Sequence, residues 1–437
     1  MRARIGAFLF AAVWSAWAIP ADAATLLLRP HPSADAGVIA ARHGFTVGSQ
    51  LGAQHLFLVE APDTLTQADL DAIVAGDPEI AILEFSPTIP LSSTTDPALN
   101  QSIAAILEAY DYTKTFLNYY GSSAWDYYVG QPAVNQIKLR EAHQLATGRG
   151  TVAIIDTGVD PYHPALHNVL LPGFDFTRGV EGGSEWNDAP ELQQSIAAIL
   201  EEYFMVTLNQ SIAAILEGGE YPPAPLPPYF GHGTMVAGIV RLAAPTAQIM
   251  PLKVFDSWGN TRLHHIIAAV YYAADNGATV INMSFATFTK SKELQRALEY
   301  AMSKGVLSVA AIGNENLSTK SIPVWPAQFA ATMGVGSVNG NKRSTFSNYE
   351  GSVTVGAPGE QLITTYPGGL YSAVWGTSFA NGWLSGAFTL FQQQKPGVTM
   401  TDAEAALAGS STSLKRTEGM GYGRLNVLDA LKSRSVK

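Results

Sequence analysis

Three short stretches of the 437-residue chain hold side chains that could share one reaction. In Val152-Ala-Ile-Ile-Asp-Thr-Gly158 an apolar run ends in a carboxylate and then a glycine. The run reads as a buried parallel strand. A carboxylate at the C-terminal end of such a strand stands where open α/β sheets hold their sites. The plain alternative for Asp156 is a turn-capping residue. In Gly231-His-Gly-Thr-Met-Val-Ala-Gly238 a histidine between glycines opens a helix of small residues. Flanking glycines let other backbone come close, which suits His232 to chemistry; a packing histidine is the alternative. In Gly376-Thr-Ser-Phe-Ala380 a serine opens the apolar helix that runs through Leu384 to Phe391. Ser378 could be an N-cap. The same geometry sets a hydroxyl nucleophile beside backbone N–H donors at the positive helix end.

These stretches sit in an alternating pattern that begins near Gly150. Strand-like apolar runs (Val152–Ile155, Ile249–Val254, Val280–Met283, Val306–Ala311, Thr332–Val338) alternate with helical ones (Met235–Leu242, Leu263–Asn276, Ser291–Lys304, Ala380–Gln393). The expectation is an α/β fold: a doubly wound, mostly parallel sheet buried under helices on both faces. Residues 25–91 read separately as β-α-β-α-β, with Phe45–Val47 available as a fourth strand. That order suits a small ferredoxin-like α+β domain. Residues 92–130, opening on Ser92-Ser-Thr-Thr-Asp-Pro97, read as a linker. Leu99–Glu108 recurs at Leu208–Glu217 and, with one change, at Leu192–Glu201. The last two copies lie in an insert at about 181–228. A duplication tolerated in surface loops, a self-pairing or regulatory segment and substrate guidance are the readings of the repeat.

Composition narrows the function classes. Lys and Arg number 26 against 36 Asp and Glu, a net charge of -10 that argues against nucleic-acid binding. The absence of cysteine removes disulfides, thiolate nucleophiles and Cys-based metal centres. Arg2 and Arg4, the apolar Ile5–Ile19 and Ala21-Asp-Ala23 read as an export signal cut after about Ala23, with an uncleaved membrane anchor as the alternative. The run is shorter than the roughly 20 residues that span a bilayer, so no membrane span is expected once it is removed. No phosphate-binding loop occurs, and Gly334-Val-Gly-Ser-Val-Asn-Gly340 has the wrong spacing for a dinucleotide. His264 and His265 are adjacent and read as a solvated or partly packed face. His163 and His167 read as loop surface rather than, with Asp160, a metal cluster.

Together the Asp, His and Ser stretches, in that order, resemble the subtilisin-like serine peptidases, the subtilases. Ser308-Val-Ala-Ala-Ile-Gly-Asn-Glu315 is similar to the segment that carries that family's oxyanion-hole amide, here Asn314. Val280–Ser284, Trp325-Pro-Ala327 and Gly421-Tyr-Gly-Arg-Leu-Asn426 extend the likeness over about Gln136 to Leu431. The resemblance implies a secreted endopeptidase in which Ser378 attacks the peptide carbonyl to form an acyl-enzyme. His232 would move the proton, Asp156 would hold the imidazole, and Asn314 with the Ser378 N–H would stabilise the oxyanion. Protein or peptide substrates would bind a pocket of Ser284, Ala286, Gly313 and Val324. Residues 25–91 would be a propeptide that inhibits its own chain until the zymogen processes itself.

The chain departs from the family's pattern in places. Gly382 replaces a proline four residues after the serine. Phe285-Ala286 replaces Leu-Gly, and Val324 stands where glycine often floors the pocket. These departures motivate the alternative, a catalytically impaired binding or inhibitory protein on a subtilase scaffold. After Gly238 the chain runs quickly to Ala244-Pro245, without the loop that commonly binds a structural calcium. No cofactor is therefore expected, and a structural calcium would lack that loop.

Overall fold

A computed structural model describes residues 23–91, 115–188, 227–415 and 418–437. The segment before residue 23 and all three repeat copies lie outside the described residues. The chain divides between Pro87 and Thr88 into two units.

In the first unit, strands β1 (Ala23–Pro30), β2 (Thr46–Gln50), β3 (Phe57–Pro62) and β4 (Ile80–Phe85) form an antiparallel sheet of order β2-β3-β1-β4. Helices α1 (Ala36–His43) and α2 (Gln67–Gly76) complete the ferredoxin-like order. Local chemistry sets the helix ends. The Asp35 carboxylate accepts the Gly37 and Val38 N–H groups, Gly44 closes α1 at φ 73°, and Thr66 and Asp69 form a capping box on α2. Leu26, Leu28, Ile39, Val59, Leu70 and Leu83 fill one core.

The second unit begins with a short strand, β5 (Thr88–Pro90), then after the undescribed gap a hairpin, β6 (Phe116–Tyr119) and β7 (Ser122–Trp125), and a short helix, α3 (Asp126–Gly130). The segment read from sequence as linker is thus folded from 116 onward. Its aromatic residues explain this: Trp125, Tyr127 and Tyr128 are buried against Tyr371.

The main sheet runs β10 (Val180–Glu181), β9 (Phe174–Asp175), β11 (Gln248–Lys253), β8 (Thr151–Asp156), β13 (Val280–Met283), β14 (Leu307–Ala311), β15 (Thr332–Asn339). Strands β16 (Lys342–Arg343) and β17 (Val353–Pro358) both pair with β15. All its pairings are parallel except those of β10 and β16. Val152 and Ile154 of β8 and Val309 of β14 point into one continuous core with Ile239 and Val240 of helix α4 (His232–Ala243) and Trp383 and Phe388 of helix α5 (Thr377–Gln394). Alternation sends Ala153 and Ile155 to the other face, where a helix at Leu263–Asp275 packs on β8 and one at Lys292–Ser303 on β14. The sequence pattern marked β8, β11, β13, β14, β15 and these four helices within a few residues. It missed the two-residue strands β9, β10 and β16, and also β17 and the hairpin Leu362–Tyr366/Leu370–Val374, whose Thr- and Gly-containing segments lack a clean apolar period.

Candidate active site

The strand ends assemble the site. Asp156 is the last residue of β8, Ser284 follows β13, and Asn314 lies just beyond β14. All stand at the C-terminal edge of a parallel sheet. His232 and Ser378 come from the first turns of α4 and α5. These helices pack closely. A Cβ at Gly382, where the family's pattern has proline, would come within 3.0 Å of the Ile239 side chain.

Asp156 is fully buried. Its Oδ1 lies 2.8 Å from His232 Nδ1 and accepts the Thr157 N–H at 2.7 Å. The loops carrying the pair touch: a Cβ at Gly233 would overlap the Gly158 carbonyl oxygen, which is why a glycine follows the histidine. The His232 ring is 5.6 Å from that of Phe379, the neighbour of Ser378. Ser378 is the second residue of its helix, behind the cap residue Gly376, so it is not the N-cap. Its hydroxyl donates to the Ser284 carbonyl at 2.9 Å, and the Ser284 hydroxyl donates to the Ser378 carbonyl at 2.9 Å. Among the described residues no hydrogen bond joins Ser378 Oγ to His232.

The Asn314 amide is oriented by a partner on the serine helix. Its Oδ1 accepts the Thr377 N–H at 2.9 Å and the Thr377 hydroxyl at 3.0 Å, which leaves its NH2 as the free donor face. Thr287 and Trp325 exchange backbone hydrogen bonds of 2.8 and 2.9 Å. That bridge sets the Ser284–Thr287 and Val324–Trp325 segments side by side. Val324 is buried, Ala286 is half-buried, and Gly313 sits at φ 92° beside Glu315 and Asn348.

The profile of the subtilase family matches residues 148–423. The chain is a subtilase. It is 31% identical to subtilisin NAT from Bacillus subtilis subsp. natto over 310 residues, 67% of this chain and 69% of that one. It is 34% identical to subtilisin BL from Lederbergia lenta over 206 residues, 45% of this chain and 76% of that one. In fold it is similar to fervidolysin from Fervidobacterium pennivorans, a keratinolytic enzyme related to subtilisin. The TM-score there is 0.67 at 19% identity, over 94% of this chain and 61% of that one. A protease from Pseudoalteromonas arctica is also similar, with a TM-score of 0.55 at 25% identity, over 68% of this chain and 93% of that one. The subtilase is therefore a serine endopeptidase of the subtilisin type.

Around this subtilase's site stand residues that sequence reading missed. Asn282 Oδ1 accepts Asn381 Nδ2 at 2.9 Å and the Ser385 hydroxyl at 2.8 Å, while Asn282 Nδ2 donates to Ser284 Oγ at 2.9 Å. This buried network lies beneath the serine. Polar residues on the apolar faces of a buried strand and helix were the signal available for it. Buried Lys253, opposite Asp156 in register, donates to the Thr157 carbonyl at 2.8 Å and to Asp188 at 2.6 Å. Burial would raise the Asp188 pKa, but Lys253 and Arg178 hold it below the usual carboxylate value.

One histidine reading is corrected. His163 is fully buried, not loop surface: its Nε2 meets the Leu370 carbonyl at 2.8 Å and its Nδ1 accepts the Ala165 N–H at 3.1 Å. Both ring nitrogens are thus engaged. Of the pair read as a solvated or partly packed face, His264 is buried and His265 half-buried. Among the described residues no group of three or more His, Asp or Glu could hold a metal. No helix among them is long and apolar enough to cross a membrane.

Proposed function

We propose that this endopeptidase cleaves peptide bonds through Asp156, His232 and Ser378, and that it is exported as a self-processing zymogen. The observation that carries the reading is the 2.8 Å contact of His232 Nδ1 with the buried Asp156. It fixes the proton on Nδ1 and leaves Nε2 basic toward the serine helix. In the reaction Ser378 Oγ adds to the substrate carbonyl as His232 Nε2 takes its proton. His232 then protonates the leaving amine, and water hydrolyses the acyl-enzyme by the same exchange. Asp156 offsets the imidazolium charge. The Asn314 NH2 and the Ser378 N–H are donors for the oxyanion.

Zymogen processing draws support from β5. Thr88–Pro90 pairs antiparallel with β12 (Asn260–Arg262), and the Leu91 N–H donates to the Gly259 carbonyl at 2.7 Å. Ile89 and Leu91 are buried there. Gly259 follows the segment whose Val254 and Phe255 N–H groups both donate to the Asp156 carbonyl. A segment added as a strand at this edge is the product-like arrangement expected of a chain about to be cut, or just cut, beyond Leu91. Residues 25–87 would then be the body of an inhibitory propeptide, and the peptide before Ala23 the export signal. The calcium-free reading is likewise proposed. A resident cation, Arg241, already satisfies the carbonyls where α4 ends: Nε donates to the Ala165 carbonyl at 3.1 Å and Nη2 to the Tyr119 carbonyl at 3.1 Å.

The test is a fluorophosphonate probe with N-terminal sequencing of the exported protein. Labelling at Ser378, and a mature start between residues 92 and 115, is the expected outcome. An unlabelled Ser378 in correctly folded protein would favour the impaired-scaffold alternative.

A further inference from the structure

A second carboxylate lies behind the Asp156–His232 pair, and no step of the reaction above uses it. Glu185 opens the 3-10 turn Glu185–Asp188 and has no exposed surface. A carboxyl group so buried is tolerated only where hydrogen-bond partners meet it. Glu185 Oε2 accepts the Gly231 N–H at 2.7 Å, and its Oε1 meets the Thr234 hydroxyl in a short hydrogen bond. The Thr157 hydroxyl lies 3.4 Å from Oε2, a looser contact. These partners flank the pair: Gly231 and Thr234 bracket His232, and Thr157 follows Asp156. Two more bonds close the frame. The Gly233 N–H donates to Thr157 Oγ1 at 2.9 Å, and the Asp160 N–H to Thr234 Oγ1 at 2.7 Å.

Gly231, the cap residue of α4, sits at φ 92° and has no side chain to cap the helix. Helix starts present unsatisfied N–H groups and a positive end. Glu185, from 46 residues earlier in the chain, supplies the missing acceptor. No hydrogen bond joins it to the His232 ring, the Asp156 carboxylate or Ser378. The groups facing it are Asp160, which disfavours its charge, and Lys253, which favours it. Burial is the stronger effect and raises its pKa well above the usual carboxylate value.

We propose that Glu185 is a positioning residue: it clamps the turn after Asp156 to the start of the His232 helix and so keeps His232 Nδ1 on the Asp156 carboxylate. This rests on His232 being the general base. The effect on rate follows from geometry, since a misplacement of about 1 Å can cost roughly a hundredfold.

The test uses the full chain and two readouts. The first needs no turnover. In a Ser378→Ala background, the far-downfield proton resonance of His232 Nδ1–H should persist with Glu185→Gln, which keeps an acceptor for Gly231. It should vanish or move upfield with Glu185→Ala. The second is kinetic, at temperatures far below unfolding. Glu185→Ala should lower kcat roughly ten- to hundredfold with KM nearly unchanged, and Glu185→Gln should stay close to wild type. If Glu185→Ala does not fold, Glu185→Asp, one methylene short, should lose more kcat than Glu185→Gln. An unshifted resonance, or a loss confined to melting temperature, overturns the clamp. A wild type that hydrolyses nothing while the resonance responds as expected overturns the peptidase reading and leaves the clamp standing.

Discussion

At the residue scale, the four polar groups assigned to chemistry differ in how much folding depends on them. The Ser378 hydroxyl makes one hydrogen bond, to the Ser284 carbonyl, and is half-buried. Ser378→Ala should therefore abolish hydrolysis of a peptide substrate while leaving the melting temperature nearly unchanged. Substantial hydrolysis by the purified variant would overturn the assignment. Its turn toward Ser284 instead of His232 is no objection, because catalytic hydrogen bonds often tighten only when substrate binds. Asn314 is held by Thr377, so Asn314→Ala should lower kcat with little change in KM. In subtilisin, a relative, loss of the oxyanion-hole amide costs roughly 3–4 kcal/mol. That Asp156, Ser284 and Asn314 stand at the ends of apolar strands, and His232 and Ser378 at helix starts, was legible from the apolar runs beside them; the roles proposed for them came from the resemblance of those stretches to the subtilases. Glu185, Thr377 and Asn381 were not legible. Their types are common in turns and helices, and their roles exist only through contacts made across long stretches of chain.

At the element scale, two features decide behaviour. The Ser284–Thr287 and Val324–Trp325 segments are bridged through Thr287 and Trp325. In the proposed pocket, Ala286 and the buried Val324 would add carbon to a slot between these segments. A methylene misfit costs roughly 1–3 kcal/mol, so matched peptides with Ala, Leu and Phe before the cleaved bond should rank Ala first in kcat/KM. A highest value for Phe would show the slot open. Arg241 is the second feature. Its guanidinium is buried and ties the end of α4 to the carbonyls of Ala165, Tyr119 and Tyr120 and to the Ser122 hydroxyl. Hydrogen bonds to a charged group are the stronger kind, so Arg241→Ala should destabilise by on the order of 3 kcal/mol in a denaturant titration. EDTA should leave the wild-type melting temperature nearly unmoved. A large drop restored by calcium would reveal a site elsewhere.

At the scale of the whole molecule, two histidines, His163 and His265, should weaken stability toward acid. Burial lowers the His163 pKa to about 4, against partial support from the Leu370 carbonyl and Asp160. Burial likewise lowers His265 to about 4. The unfolded chain binds these protons near pH 6.5, while the folded one binds them only near pH 4. Stability is therefore full above about pH 6.5 and falls as pH drops toward 4, by about 1.4 kcal/mol per unit for each group. Denaturant midpoints measured between pH 7 and pH 4 should fall accordingly, and His163→Gln should flatten the slope. A flat wild-type profile would show that both rings are solvated. The two units make a further expectation at this scale: isolated residues 25–91 should slow the mature enzyme in trans. No inhibition even at high excess would remove the propeptide assignment.

Periodicity and residue type were enough for the alternation of strands and helices, the ferredoxin-like order of residues 25–85 and the ends of β8, α4 and α5, because each depends on neighbours in the chain. Apolar period sets which segment is buried, and a Gly-flanked polar residue marks where it ends. Other features were settled only in three dimensions. Residues 116–130 fold because Trp125, Tyr127 and Tyr128 find Tyr371, more than 240 residues on. His163 is buried because Leu370 and Ala165 satisfy both ring nitrogens. Glu185 meets the start of α4 because the turn after Asp156 lies against it. In each case the deciding energy is the burial of a polar or aromatic group against a partner distant in sequence. Local pattern cannot name that partner, since the cost of desolvation and the hydrogen bond that offsets it arise only once the chain has closed.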